Sequence, residues 1–239
     1  MTVLVVGASG ATGRLLVEQL LNFGQEVKII VRSTNNLPDS IKSHKNVSIL
    51  QASILDLGDT ELNNYVKGCN AIASCLGHTM SFKGIYGKPR RLVTDATRRL
   101  CGAIKAGEPK STVKYLLMNT SGNSNRDLSE TISFGQQCVI WLLHWLLPPH
   151  IDNEEAADFL RTKIGQDDST IEWVAVRPDG LVDEEEVTEY EIHPSPTRSA
   201  IFDAGTVSRA NVGAFMARLI TDHDLWMKWK GQMPVIYSK

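Results

Sequence analysis

The chain has 239 residues, 42% of them hydrophobic, and a formal net charge of −2. That length suits one α/β domain with its own core and a small appended lobe. The near-neutral charge excludes a general attraction to nucleic acid or to an anionic membrane.

Val3-Leu4-Val5-Val6 is a short apolar run and reads as a buried strand. Gly7-Ala8-Ser9-Gly10-Ala11-Thr12-Gly13 follows at once, spaced G-x-x-G-x-x-G, and then Leu16, Leu20 and Phe23 recur at helical spacing. Strand, glycine turn and helix together lay a pyrophosphate on a helix N-terminus, where free N–H groups and the helix dipole favour negative charge. Gly7, Ser9, Gly10, Ala11, Thr12, Gly13 and Arg14 are therefore candidate dinucleotide contacts.

Glu26 to Val31 reads as the second strand. In nucleotide folds of this kind an acid after that strand binds the ribose of NAD, whereas a cation accommodates the extra phosphate of NADP. Here Arg32, Ser33 and Thr34 follow, with no acid until Asp39. Arginine presents a planar fork of donors suited to phosphate, so Arg32 and Arg14 point to NADP. The alternative is that both arginines are simply solvated.

Val47 to Gln51 and Ala71 to Cys75 read as strands three and four, with a short helix from Asp59 to Val66 between them. Strand four ends in Ser74-Cys75-Leu76-Gly77, small residues that let a cofactor pass close to backbone. His78 reads as a surface or loop residue rather than a catalyst, and Thr79 to Lys88 as a loop at the mouth of the sheet. Leu92, Val93, Ala96, Leu100 and Ile104 mark an amphipathic helix. Val113 to Met118 is strand five, ending in Asn119-Thr120-Ser121-Gly122-Asn123. Ligands sit at strand carboxyl ends in open parallel sheets, so these hydroxyls and amides can touch a nicotinamide or a substrate oxygen.

Gln137 to Leu147 is apolar nearly all round and is expected to stop at Pro148-Pro149, with Trp141 and Trp145 on one face. Such a helix is buried, lines a pocket, or forms a contact with a second copy or a protein partner through 138–147. Asp152 is expected to cap a following helix through Ala156, Ala157, Phe159 and Leu160 to Ile164. Ile171 to Val176 is strand six, ending in Arg177-Pro178-Asp179-Gly180-Leu181. Residues 182–206 read as a substrate-lobe loop in which the acidic run Asp183 to Glu186 is solvated. Val212, Phe215, Met216, Leu219 and Ile220 form another amphipathic helix, and Pro234 to Tyr237 a last short strand.

Four cysteines (Cys69, Cys75, Cys101, Cys138) lie far apart with no C-x-x-C pair, which argues against zinc and disulfides. The most apolar stretch, Cys138 to Leu147, is too short to span a bilayer, and no basic segment precedes the first strand. A cytoplasmic protein of 1–239 as one doubly wound parallel sheet is the expectation.

Several pieces together resemble one family, the atypical short-chain dehydrogenases with a single NAD(P)-binding domain. They are the G-A-S-G-A-T-G turn, Val31-Arg32-Ser33, Ser74-Cys75-Leu76-Gly77, Val176-Arg177-Pro178 and Val207-Ser208-Arg209-Ala210-Asn211-Val212, in matching order. Within it the chain looks most like the biliverdin reductase B (flavin reductase) and NmrA-like branches. The resemblance implies cofactor contacts from Ser33, Ser53, Ile54, Cys75, Leu76, Gly77, Asn119, Arg177 and Pro178, and an acceptor or carboxamide contact from Ser121 with Thr120. Relatives commonly carry Asp where this chain has Ser53.

Typical short-chain dehydrogenases also use Tyr-x-x-x-Lys, and none of Tyr65, Tyr86, Tyr115, Tyr190 or Tyr237 has Lys four residues on. The resemblance therefore implies an NADPH-dependent reductase for a conjugated small-molecule acceptor, or else a non-catalytic NADP-binding redox sensor.

Overall fold

A computed structural model describes residues 1–79, 81–128, 130, 135, 139, 141–142, 147–184 and 186–239. The strands β1 (Thr2–Val6), β2 (Glu26–Val31), β3 (Val47–Gln51), β4 (Ala71–Ser74), β5 (Val113–Met118) and β6 (Ile171–Pro178) are all parallel. With β10 (Val235–Ser238) and β8 (Tyr190–His193) they form one sheet of order β3-β2-β1-β4-β5-β6-β10-β8. Only β8 runs antiparallel, at the edge beside β10. A separate small parallel pair joins β7 (Gly180–Val182) to β9 (Thr206–Ser208).

Strand residues alternate between two cores. Val3 and Val5 face α1 (Ala11–Asn22) and α7 (Arg209–Thr221) on one side. Leu4 and Val6 face α3 (Asp59–Val66), α5 (Leu92–Ala106) and α6 (Pro148–Phe159) on the other. Burial on both faces is why Val3 to Val6 of β1 are apolar throughout rather than alternating. The chain leaves β1 toward one layer and β4 toward the other, so a crevice opens where their carboxyl ends part.

Short elements absent from the sequence reading are α2 (Asp39–Lys42), α4 (Phe82–Tyr86), α8 (His223–Trp229) and the strands β7, β8 and β9; the 182–206 segment, expected as a loop, thus contributes β8 to the edge of the main sheet. One expectation is corrected near Pro148. Leu147 is not helical, and the two prolines open α6, as proline can because the first turn has no use for its missing N–H. Asp152 lies inside α6 and caps a different helix, accepting from the backbone N–H of Val93 at 2.8 Å and of Thr94 at 2.9 Å at the start of α5. Of the 138–147 stretch only Val139, Trp141, Leu142 and Leu147 are described, so the expected contact surface there lies outside the described residues. Among the described residues no helix is long and apolar enough to cross a membrane.

Candidate dinucleotide site

The first turn is built by close packing. Gly7 sits at φ +79°, a left-handed conformation that a Cβ disfavours, and an added Cβ would lie 2.5 Å from the Cys75 carbonyl group. A Cβ on Gly13 would lie 2.1 Å from the Gly7 carbonyl oxygen. These contacts draw the β1 turn against the end of β4 and seat the first turn of α1 on it. Gly10, the residue before α1, makes no side-chain cap, and the first turn of α1 carries no acid. Its leading N–H groups are therefore left to an outside acceptor.

Beside this turn lies a cavity of about 310 Å³. Its floor is Gly7, Ser9 and Gly10; one wall carries Ile30, Arg32, Ser53 and Ile54, and the opposite wall Cys75, Leu76, Gly77, Thr79 and Leu92. Glycine turn, apolar wall and polar rim fit a pyrophosphate, an adenine and a ribose respectively. Of the expected contacts, Gly7, Ser9, Gly10, Arg32, Ser53, Ile54, Cys75, Leu76 and Gly77 line this cavity. Ala11 and Arg14 instead line a second groove with Leu15, Glu18, Pro38, Asp183 and Glu184. The two arginines thus face different grooves. Arg32 is exposed and makes no ion pair among the described residues. The nearest acid downstream, Asp39, is paired with Lys42 at 2.9 Å. Ser33 turns back on its own loop, its hydroxyl accepting from the Asn35 N–H at 3.2 Å. The Cys75 thiol is buried in the wall, and that burial pushes it up to about 12, so it stays protonated at neutral pH.

At the ends of β5 and β6 the polar groups hold one another. The Arg177 side chain is fully buried. Its five N–H donors reach the carbonyls of Met233 (2.6 Å), Asn123 (2.8 Å) and Pro194 (3.1 Å) and both carboxylate oxygens of Glu130 (2.7 and 3.1 Å). No donor is left for a cofactor, which corrects the expected contact from Arg177. Asn119 donates to the Asn153 carbonyl at 2.9 Å and accepts from the Thr120 N–H at 2.8 Å. The Pro178 carbonyl accepts the Ser121 N–H at 3.0 Å. None of Asn119, Thr120, Ser121, Arg177 or Pro178 lines the 310 Å³ cavity.

Ser121 is oriented more closely than the sequence indicated. Its hydroxyl donates to Asp179 Oδ1 at 2.8 Å, while Asp179 Oδ2 accepts the Gly205 N–H at 2.8 Å. With its one proton committed to a carboxylate, the Ser121 oxygen offers only lone pairs to a ligand.

Two further residues support the cavity, neither of which the sequence pointed to as a site residue. Arg99 of α5 donates to the carbonyls of Ile54 (2.9 Å), Leu55 (2.7 Å) and Leu57, fixing the turn that carries the Ile54 wall. His78 is in a loop, as expected, but not at the surface. Its side chain is 5% exposed and its Nε2 lies 2.7 Å from Asp152 Oδ2. Burial would raise the Asp152 carboxyl, but hydrogen bonds from His78 and from the Val93 and Thr94 N–H groups outweigh it and hold it below the usual range.

A family model described as NAD(P)H-binding matches residues 7–223, and thus both the turn and the cavity walls. The chain belongs to this NAD(P)H-binding family. No curated protein matches it in a sequence search. Among solved structures it is similar in fold to a short-chain dehydrogenase/reductase from Veillonella parvula in complex with NADP. That likeness has TM-score 0.69 and 17% identity over 99% of this chain and 94% of that one. An oxidoreductase from Lactococcus lactis gives TM-score 0.69 at 17% identity, covering 100% of this chain and 91% of that one. A Streptococcus pneumoniae protein provisionally named an NADH-flavin reductase gives 0.66 at 18% identity, with 100% of both chains covered. The NAD(P)H-binding assignment agrees with the uncapped α1 N-terminus and with the glycine contacts that no side chain could replace.

Proposed function

We propose that this NAD(P)H-binding protein is an NADPH-dependent reductase for a conjugated small-molecule acceptor such as a flavin or a quinone. The observation that carries the reading is the cavity rim. Among the described residues Arg32 stands there without an ion pair, and no carboxylate that would bind an unphosphorylated ribose lines the cavity. NADP in the Veillonella structure and the provisional name of the Streptococcus protein support the same reading.

The nicotinamide cofactor supplies the hydride chemistry. The chain's residues bind and orient. The α1 N-terminus takes the pyrophosphate, Ile54 packs on the adenine, and Arg32 meets the 2′-phosphate. Ser121, its proton held by Asp179, accepts from an N–H such as that of the carboxamide. It therefore does not protonate the acceptor. A conjugated acceptor spreads the incoming charge and takes its proton from water, which removes the need for a Tyr-x-x-x-Lys pair. The 182–206 segment, tied to this point through the bond from Gly205 to Asp179, shapes the acceptor side.

The test is to follow NADPH and NADH oxidation by the purified protein against a panel of flavins and quinones. Steady turnover that prefers NADPH is expected. Tight NADPH binding with no oxidation across the panel would overturn the reductase in favour of an NADP-binding redox sensor.

A further inference from the structure

We infer that Arg99 is a positioning residue that builds the base end of the dinucleotide cavity and makes that end select adenine. The inference rests on the reading of the 310 Å³ cavity as the dinucleotide site.

Arg99 lies on α5, about two turns after Leu92. Leu92 lines one wall of the cavity, and Arg99 supports the opposite wall without lining it itself. Its Nη1 donates to the carbonyls of Ile54 (2.9 Å) and Leu55 (2.7 Å). Its Nη2 donates to the Leu57 carbonyl and to Asp59 Oδ1 (3.0 Å). A guanidinium carries donors only and does not lose its proton in proteins, so the direction of every one of these bonds is fixed.

The turn closes on itself as well. The Ser53 carbonyl accepts the N–H groups of Asp56 at 3.0 Å and Leu57 at 3.2 Å. A trans peptide points its C=O and N–H in opposite directions, so a Ser53 carbonyl drawn into the turn leaves the Ile54 N–H on its outer side. Among the described residues neither the Ser53 N–H nor the Ile54 N–H has a hydrogen-bond partner, and both residues line the cavity. The base end therefore offers donors, while the carbonyls of Ile54, Leu55 and Leu57 are held away from it by Arg99.

An edge of donors distinguishes between purines. N1 of adenine accepts a hydrogen bond, whereas N1 of hypoxanthine carries a hydrogen and leaves the site's N–H unpaired. Without Arg99 three carbonyls lose their donor, and the turn is free to rotate a carbonyl toward the base, where it accepts from N1–H. The preference for adenine is thus set by a side chain that does not touch the base.

Calorimetry on the full chain compares NADP⁺ with deamino-NADP⁺, its hypoxanthine analogue. The wild type is expected to bind NADP⁺ about tenfold more tightly, the effect of one matched hydrogen bond. Arg99→Met keeps an apolar stem but no donors; it is expected to bind NADP⁺ about tenfold more weakly, with the ratio between the two nucleotides falling toward one. Arg99→Lys holds some of the carbonyls but lacks the fork, so its ratio is expected between the two, which keeps the test available if Arg99→Met folds poorly. Partial unfolding lowers the binding of both nucleotides alike, so a loss of stability alone leaves the ratio unchanged.

A wild type without preference, or variants that keep the wild-type ratio, would overturn the role of Arg99. Ser53→Trp, which fills the cavity, separates the two ideas. If it binds NADP⁺ normally, the cavity reading fails and this inference with it; if it loses binding while the Arg99 variants keep the ratio, only the role of Arg99 falls.

Discussion

The carboxyl ends of the strands divide into two regions that treat their polar groups in opposite ways. Around β1, β2 and β4 the α1 N-terminus has no side-chain cap, Arg32 makes no ion pair among the described residues, and a cavity stands between them. Around β5 and β6 the polar side chains are bonded within the protein: Asn119 to the Asn153 carbonyl, Ser121 to Asp179, and Arg177 to Glu130 and three carbonyls. A group left without a partner at a cavity edge is available to a ligand, whereas one with every donor matched is part of the frame. The first region is the binding surface we propose. The second holds the 182–206 segment against the sheet and aims one oxygen, that of Ser121.

This division predicts that the two arginines fail in different ways. Arg177→Met leaves Glu130 and three carbonyls buried without their partner and should cost about 3–5 kcal/mol of stability, read by denaturant unfolding. A loss of NADPH affinity at unchanged stability would break the comparison. Arg32→Asp should leave stability nearly unchanged and weaken NADPH by about 1.5–3 kcal/mol, with a much smaller effect on NADH. Equal losses for both cofactors would remove the phosphate role. Ser121→Ala should lower turnover about tenfold with little change in NADPH affinity, the effect of one oriented hydrogen bond. Unchanged turnover would remove Ser121 from the site.

The smallest effect lies at the opposite end of the sheet. Burial disfavours the Asp168 charge, but Lys105, the Thr170 hydroxyl and the N–H groups of Thr170 and Ile171 together hold its carboxyl down at about 2. A carboxyl lowered on folding stabilises the fold above its unfolded value, and that contribution disappears as the pH falls toward about 2. Asp168→Asn should therefore be less stable than wild type at neutral pH, with the gap closing only under strong acid, and cofactor binding should not follow it.

What the sequence made legible was local. The run Val3 to Val6, the glycine turn and the strands Glu26–Val31, Val47–Gln51 and Val113–Met118 fall where periodicity and turn chemistry put them. The cavity floor followed because a glycine turn after a buried strand allows few geometries. The supporting contacts did not follow, because they join residues far apart in the chain: His78 meets Asp152 across 74 positions and Arg99 reaches Ile54 across 45. Asp152 shows the difficulty well. Its residue type suggested a helix cap, and it is one, but the N–H groups it caps, those of Val93 and Thr94, lie 59 and 58 positions before it. Arg177 misled for a related reason. Its side chain points back into four segments that meet only in the folded protein, so its place at a strand end said nothing about where its donors go.

The central claim is that the dinucleotide lies over the ends of β1, β2 and β4. Amide hydrogen exchange of the full chain, with and without saturating NADPH, tests it most directly. The account predicts that the largest slowing falls in residues 7–13, 32–36 and 75–79, with little change over 119–123 and 177–182, whose backbone is already bonded. No slowing in the first group, or its largest value in the second, would contradict it.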